Sequence, residues 1–418
     1  MYCYYKIIVL NEKNTNKLKI LNDPIYGFIT IPNALIYDLI EHPYFQRLRR
    51  ISQMGLSYLV YPGAHHTRFH HALGCMHLMQ KTVHILKFKG VEISEEEANA
   101  LYIAILLHDI GHGPFSHALE KSIATGINHE TISLKFMEAL NIDFKGELSL
   151  AITIFKGEYH RNFLYQLIAS QLDMDRLDYL KRDSFYTGVS EGNINSERLI
   201  TMLNVVNDEL VVEEKGIYSV EKFIVARRLM YWQVYLHKTG LGAEKQLERV
   251  LMRAKELVLN GAKLPASKAF NYFLTNQIDE DNFTSKTLKI FAKLDNYDVL
   301  ASIKEWISND DFILSKLSES LINRILPKVV LQNKPFRKEE VQRVKDLVKK
   351  NFNLSDKEAD YLVYNGKICN QAYDSTKNTI KLLFKNGAVK DVVEVSDHFN
   401  IQALSKPVNK YYLCYPKK

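Results

Sequence analysis

The segment that most restricts the fold is residues 93–110, ISEEEANALYIAILLHDI. Ser94 precedes three glutamates, which gives a helix start both an N-cap acceptor and negative charge near its unpaired N–H groups. The run LYIAILL that follows is too dense in apolar side chains for a helix with one wet face, so this helix is expected to be buried. Residues 130–142, 161–182, 219–237 and 243–260 also carry helical spacing, and only 18 Gly and 10 Pro interrupt 418 residues. The texture changes near residue 337. RKEEVQRVKDLVKK reads as a basic amphipathic helix, and TIKLLFKNG, AVKDVVEVS and KYYLCYPKK read as strands bounded by turn signals. The expected fold is therefore mainly α, with a helical body over 1–330 and a small α/β lobe over 331–418.

The buried helix ends in His108-Asp109, just before Gly111. Taken alone, that dipeptide is ordinarily a capped helix end. An imidazole and a carboxylate are nevertheless costly in an apolar setting without a partner, and a metal ion is one such partner. Histidines also cluster around it: five fall in residues 65–77 (HHTRFHHALGCMH) and three in 108–117 (HDIGHGPFSH), with His129-Glu130 following. Further on, SQLDMDRLDYLKRDSFYTG places Asp173, Asp175, Asp178 and Asp183 at helical spacing. These carboxylates fit either a metal site or a solvated acidic face paired with Arg176, Lys181 and Arg182.

Charge adds little discrimination. A net charge of +7 with pI about 8.9 suits a solvated basic surface or a polyanionic partner, such as a nucleotide phosphate or nucleic acid. Cys3, Cys75, Cys369 and Cys414 are scattered, with no CxxC pair, so neither a disulfide framework nor a thiolate zinc site is indicated. The start MYCYYKIIVLNEKN lacks a basic region before its apolar run, and no stretch approaches the ~20 apolar residues of a membrane span. A cytoplasmic protein with no membrane role is the expectation.

In sequence order, the flanks YPGAHHTRFHHALG, LLHDIGHGPFSHALE, NHE and DMDRLDYLKRDSFYTGV resemble the HD-domain phosphohydrolases, and more narrowly their dNTP triphosphohydrolase (dGTPase-like) branch. The likeness runs from about residue 19 to 240. It implies an HD-domain helical bundle with its metal-ligand core at about 45–190. It assigns metal binding to His71, His108, Asp109 and Asp175, the ion being one of Fe, Mn, Zn, Co, Ni or Mg. It gives acid–base roles to His112, His129 and Glu130. It places Arg68, His117, Arg176, Tyr179 and Arg227 at the triphosphate, and Gln53, Asp183 and Tyr235 at the sugar. Arg176 stands where the vertebrate members of this branch have lysine, which alters contact geometry. His70 stands where a glutamate is common.

The resemblance extends to a regulatory nucleotide pocket, formed between subunits, at Lys19, Ile20, Glu41, Gln46, Arg49 and Lys238. That implies a GTP or dNTP effector and a homodimer or tetramer. The same stretch also reads as one basic surface face of Gln46, Arg47, Arg49 and Arg50. The implied activity is hydrolysis of a dNTP, with dGTP favoured, to deoxynucleoside and triphosphate. Other readings that fit the motifs are an HD phosphohydrolase or phosphodiesterase for another nucleotide, and a non-catalytic nucleotide- or nucleic-acid-binding protein.

Overall fold

A computed structural model describes residues 19–115, 117–122, 126–377, 379–396 and 404–417. Its body is helical, with seven helices that matter for the site: α1 (Ala34–Glu41), α2 (Arg68–Phe88), α3 (Glu95–Leu107), α4 (His129–Asp143), α5 (Met174–Thr187), α6 (Ile217–Met230) and α7 (Lys238–Leu259). The start of α3 is set by its own sequence. Ser94 Oγ accepts from the Glu97 N–H at 3.0 Å, and the Glu97 carboxylate accepts from the Ser94 N–H at 2.9 Å. Nine of the thirteen residues of α3 are buried, so the dense apolar run lies inside the bundle, against α2 on one side.

The expected helix over 161–182 is two helices. Residues Asn162–Ile168 form the first, and α5 starts afresh at Met174, capped by the Asp173 carboxylate on the Arg176 N–H at 2.8 Å. Asp173 and Ser170 satisfy the chain ends locally, which makes a break affordable where continuous helix would otherwise run. The helix expected over 219–237 passes into a π-helical turn at Tyr231–Tyr235. The acidic face of α5 also differs from a solvated surface: Asp173, Asp178 and Asp183 are buried.

The strands form three small sheets. β1 (Ile20–Asp23) and β2 (Gly27–Thr30) make an antiparallel hairpin. β3 (Leu203–Val206) pairs with β4 (Glu209–Glu213). β5 (Lys328–Gln332) and β6 (Tyr364–Asn370) flank β9 (Val408–Tyr415), and β7 (Lys381–Leu383) joins β8 (Val389–Asp391). β7 also lies parallel to β4, so a strand from the C-terminal region completes a sheet begun in the helical body. The strand expected over AVKDVVEVS stops at Asp391, whose carboxylate caps a helical turn at Val392–Val395. A continuous apolar core reaches from Ile29 to Leu413. Among the described residues, no helix is long and apolar enough to cross a membrane.

Candidate metal centre and cleft

Three helices bring the four expected metal ligands to one point. His71 lies in the first turn of α2, His108 caps the C-terminus of α3 with Asp109 beside it, and Asp175 lies in the first turn of α5. His71 Nε2 stands 3.0 Å from Asp175 Oδ1 and 3.7 Å from Asp109 Oδ2. His108 Nε2 stands 3.5 Å from Asp109 Oδ1 and 3.6 Å from Asp175 Oδ1. Ligands about 2.1 Å from a shared ion would be separated by about 3.0–3.5 Å; His71, His108 and Asp175 come close to this, with Cys75 beside them, while Asp109 also groups with His112 and His129.

The histidines are oriented for that role by their other ring nitrogens. His108 Nδ1 donates to the Ile105 carbonyl at 2.6 Å, which leaves Nε2 as a lone-pair acceptor; this buried atom has no hydrogen-bond partner. His71 Nδ1 donates to Asp178 Oδ2 at 2.7 Å. Asp178 is in turn gripped by Arg182, through Nε at 2.8 Å and Nη2 at 2.9 Å, and Arg182 Nη1 reaches Asp23 at 2.7 Å. Burial would raise Asp178, but Arg182 and His71 outweigh it and lower its pKa to about 2. This carboxylate–arginine–carboxylate chain backs His71 as an outer support, and the sequence reading left it out of the site. Gly74 makes room for it: a Cβ there would lie 2.0 Å from Asp178 Oδ1 and 2.3 Å from Arg182 Nη2.

A second group flanks the first. His112 and His129 stack with centroids 3.9 Å apart and planes at 17°, and His112 Nε2 lies 3.2 Å from Asp109 Oδ1. Burial, reinforced by the Arg68 charge, pushes His112 down to about 3. Burial opposes ionisation of Asp109, but Arg68, His108 and His112 outweigh it and hold the carboxyl well below its usual range. Arg68 is ion-paired directly to Asp109. Glu130 is exposed. The loop carrying His112 is braced from behind by Arg47, which is fully buried and donates to the carbonyls of Ile110 (2.7 Å), His112 (2.9 Å) and Leu294 (3.2 Å). Arg47 therefore does not share a basic surface with the exposed Arg49 and Arg50.

In front of these groups opens a cleft of about 570 Å³, lined by His108, Asp109, His129, Glu130, Asp175, Arg176 and Arg227 together with Gln171, Gln371, Asp374 and Lys377. Arg176 is paired with Asp173, whereas Arg227 Nη1 donates to the Ala372 carbonyl at 3.1 Å. Tyr179 and Asp183 follow Asp175 at successive turns of α5. Tyr235 Oη donates to Asp183 Oδ2 at 2.8 Å, and the Tyr179 and Tyr235 rings meet edge-on. His66, absent from the expected set, joins this cluster: Nε2 lies 2.7 Å from Asp183 Oδ1, and its carbonyl accepts from the Gln53 N–H at 3.0 Å. The buried Gln53 Oε1 has no hydrogen-bond partner. The side chain of His117 lies outside the described residues.

The residues expected at a regulatory pocket are only partly together. Arg49 Nε donates to Gln46 Oε1 at 2.8 Å, and Lys19 Nζ sits 3.0 Å over the Tyr37 ring. Ile20 and Glu41 are exposed near them on β1 and α1, while Lys238 is exposed at the start of α7.

The chain matches the HD domain model over residues 68–183 and the HD associated region model over 194–272. It is 50% identical to a phosphohydrolase from Bacteroides thetaiotaomicron whose crystal structure superposes with a TM-score of 0.93, covering 96% of this chain and 100% of that one. It is 36% identical over 317 residues to the protein YwfO of Bacillus subtilis, covering 74% of this chain and 71% of that one. It is 30% identical over 320 residues to a deoxynucleoside triphosphate triphosphohydrolase SAMHD1 homolog of Dictyostelium discoideum, covering 71% of this chain and 62% of that longer relative. With the ligand geometry and these relatives together, the chain belongs to the HD-domain phosphohydrolase superfamily.

Proposed function

We propose that this protein is a metal-dependent deoxynucleoside triphosphate triphosphohydrolase, releasing deoxynucleoside and triphosphate. The observation that carries this reading is the buried, unpartnered Nε2 of His108, facing Asp109 and Asp175 at the floor of a cleft that also holds Arg176 and Arg227. The named SAMHD1 relative supplies the substrate class.

His71, His108, Asp109 and Asp175 would hold the ion. Bound there, it supplies Lewis acidity and lowers the pKa of a coordinated water toward ~7. The chain's own side chains do the rest. Arg227 and Arg176 meet phosphate oxygens on the open side of the cleft, and Arg68 fixes the Asp109 carboxylate in place. His112, pushed down to about 3, is neutral at pH 7 and serves as a hydrogen-bonding partner beside Asp109, while proton donation to the leaving oxygen falls to His129 stacked on it, with Glu130 nearby at the cleft. Asp183, Tyr235 and Gln53 form a polar cluster suited to a sugar hydroxyl, and the open acceptor of Gln53 awaits a donor.

The test is a screen of all four dNTPs with Mn, Fe, Mg and Co, with products separated by chromatography. Deoxynucleoside and intact triphosphate should appear, and Asp175→Ala should abolish both. Release of orthophosphate only, or turnover of cyclic or monophosphate substrates alone, sinks the proposal. The Lys19, Gln46 and Arg49 face is proposed as a nucleotide effector site between subunits. Added GTP should then raise the rate and the oligomer's mass, and unchanged rate and mass would refute it.

A further inference from the structure

The cleft has an outer wall that the HD core does not supply. Residues 370–377 leave the end of β6 and cross its mouth, so Gln371, Asp374 and Lys377 line the same space as His108 and Asp175. This strap is held from the catalytic side. The buried amide of Gln171, two residues ahead of the cap of α5, donates from Nε2 to the carbonyls of Asp374 (2.6 Å) and Lys377 (2.9 Å) and accepts from the Asp374 N–H at 2.7 Å. Arg227 adds its bond to the Ala372 carbonyl, and the Asp374 carboxylate folds back on Thr376, accepting from its N–H (2.9 Å) and hydroxyl (2.6 Å). A glutamine amide that satisfies three backbone groups of one turn fixes where the next side chain points.

The charges of the cleft sort into two kinds. Arg176 is neutralised locally by Asp173. Arg227 is bonded to a neutral carbonyl, and Lys377 has no carboxylate within salt-bridge distance among the described residues. Asp374 is near but is occupied by Thr376. Two cations at the cleft that bond to no carboxylate among the described residues, Arg227 and Lys377, offer the positive charge that a chain of phosphates lying in that cleft requires.

We propose that the strap is a working part of the substrate site and that Lys377 is a specificity residue whose ammonium binds the distal phosphates of the substrate, together with Arg227. The inference rests on a polyphosphate being the ligand of this cleft, the class given under the proposed function. It adds a contact from the C-terminal region that the HD motifs do not contain.

The experiment measures binding of inorganic triphosphate to the full chain by calorimetry, beside dNTP hydrolysis. Lys377→Ala should weaken triphosphate binding about tenfold, the size of one charge-assisted contact. Lys377→Arg should stay within about twofold, and Lys385→Ala, which removes an equal charge at the exposed β7–β8 turn, should change nothing. In hydrolysis the Lys377→Ala effect should fall on KM, with kcat nearly unchanged. Gln171→Ala should reproduce the weakened binding, since the turn loses its clamp. Equal affinity of Lys377→Ala and the unaltered chain overturns the proposal, as does an unaltered chain that does not bind triphosphate. A chain that binds triphosphate through Lys377 yet hydrolyses no dNTP upholds this inference and removes the dNTPase reading. Hydrolysis of dNTPs indifferent to Lys377 does the reverse.

Discussion

Two fully buried arginines stand behind the site, and they are held in opposite ways. Arg182 is clasped by two carboxylates, Asp178 and Asp23, and so closes a chain that ends on His71. Among the described residues, Arg47 has no carboxylate as a hydrogen-bond partner. It packs against the Phe136 and Phe291 rings and, among the described residues, donates only to backbone carbonyls, two of them in the His108–His112 loop. Burial accordingly draws Arg47 down to about 9, still charged at neutral pH. The difference teaches where rigidity comes from on each side of the metal site. Behind His71 it is ionic, so removing the cation strands negative charge. Behind the His112 loop it is a cation on dipoles, so removing it strands only neutral acceptors.

That contrast predicts the largest effect for Arg182→Met. Two buried carboxylates would lose their partner, at a cost of about 3–5 kcal/mol in urea unfolding. Metal affinity should fall as well, by about 10–100-fold, because Asp178 would no longer hold the His71 ring. A loss under about 1 kcal/mol would break the comparison at its stronger end. Gly74→Ala attacks the same chain by volume alone. Its methyl would meet Asp178 and Arg182 at contact distances no structure tolerates, with a backbone or side-chain shift costing about 1–3 kcal/mol. If Gly74→Ala leaves stability and metal content unchanged, the chain is not as tightly packed as the geometry implies.

The same contrast explains what the sequence could and could not disclose. α3 was legible in full because its cap, its charge and its apolar density are all local. The candidate ligands His71, His108, Asp109 and Asp175 could be singled out because HD motifs carry their spacing with them. Asp178 was harder: on α5 it lies one turn past Asp175, and a stripe of aspartates beside Arg176 and Arg182 looks the same whether it faces water or a histidine. Only the approach of α2, permitted by Gly74, turns it inward. Arg47 sits in RLRR, whose neighbours Arg49 and Arg50 are exposed, and its burial depends on Phe136, Phe291 and Leu294, all remote in sequence. The wall at 370–377 carries no periodic pattern. It is placed by the parallel pairing of β7 with β4 and by the amide of Gln171, which are long-range contacts.

Arg47→Met tests the weaker end. The carbonyls of Ile110, His112 and Leu294 lose their donor, which costs about 1–3 kcal/mol, while the burden of a buried unpaired cation disappears. The net destabilisation should therefore be smaller than for Arg182→Met, with activity falling more than stability because the His112 loop loosens. An Arg47→Met protein as unstable as Arg182→Met would mean that the dipoles bind the cation as firmly as carboxylates do.

A third arginine sharpens the scale. Arg161 grips the single carboxylate of Glu97 through Nη1 at 2.8 and 2.9 Å, where Arg182 holds two, and its side chain keeps 24% of its exposure. Solvent screening should hold Arg161→Met to under about 1 kcal/mol, despite bond lengths like those of Arg182. The pair also leaves a signature in pH. Burial would raise Glu97, but the Ser94 N–H and Arg161 outweigh it and lower its pKa below the ordinary 4.5. A carboxyl depressed on folding contributes stability that is complete above 4.5 and is lost as pH falls through its lower folded value. Arg161→Met should flatten the stability–pH curve in that window and leave it unchanged at pH 7 apart from the small offset. If the curve keeps its full slope, the Ser94 cap and the Tyr159 hydroxyl hold Glu97 down without Arg161, and exposure, not charge pairing, separates the three arginines.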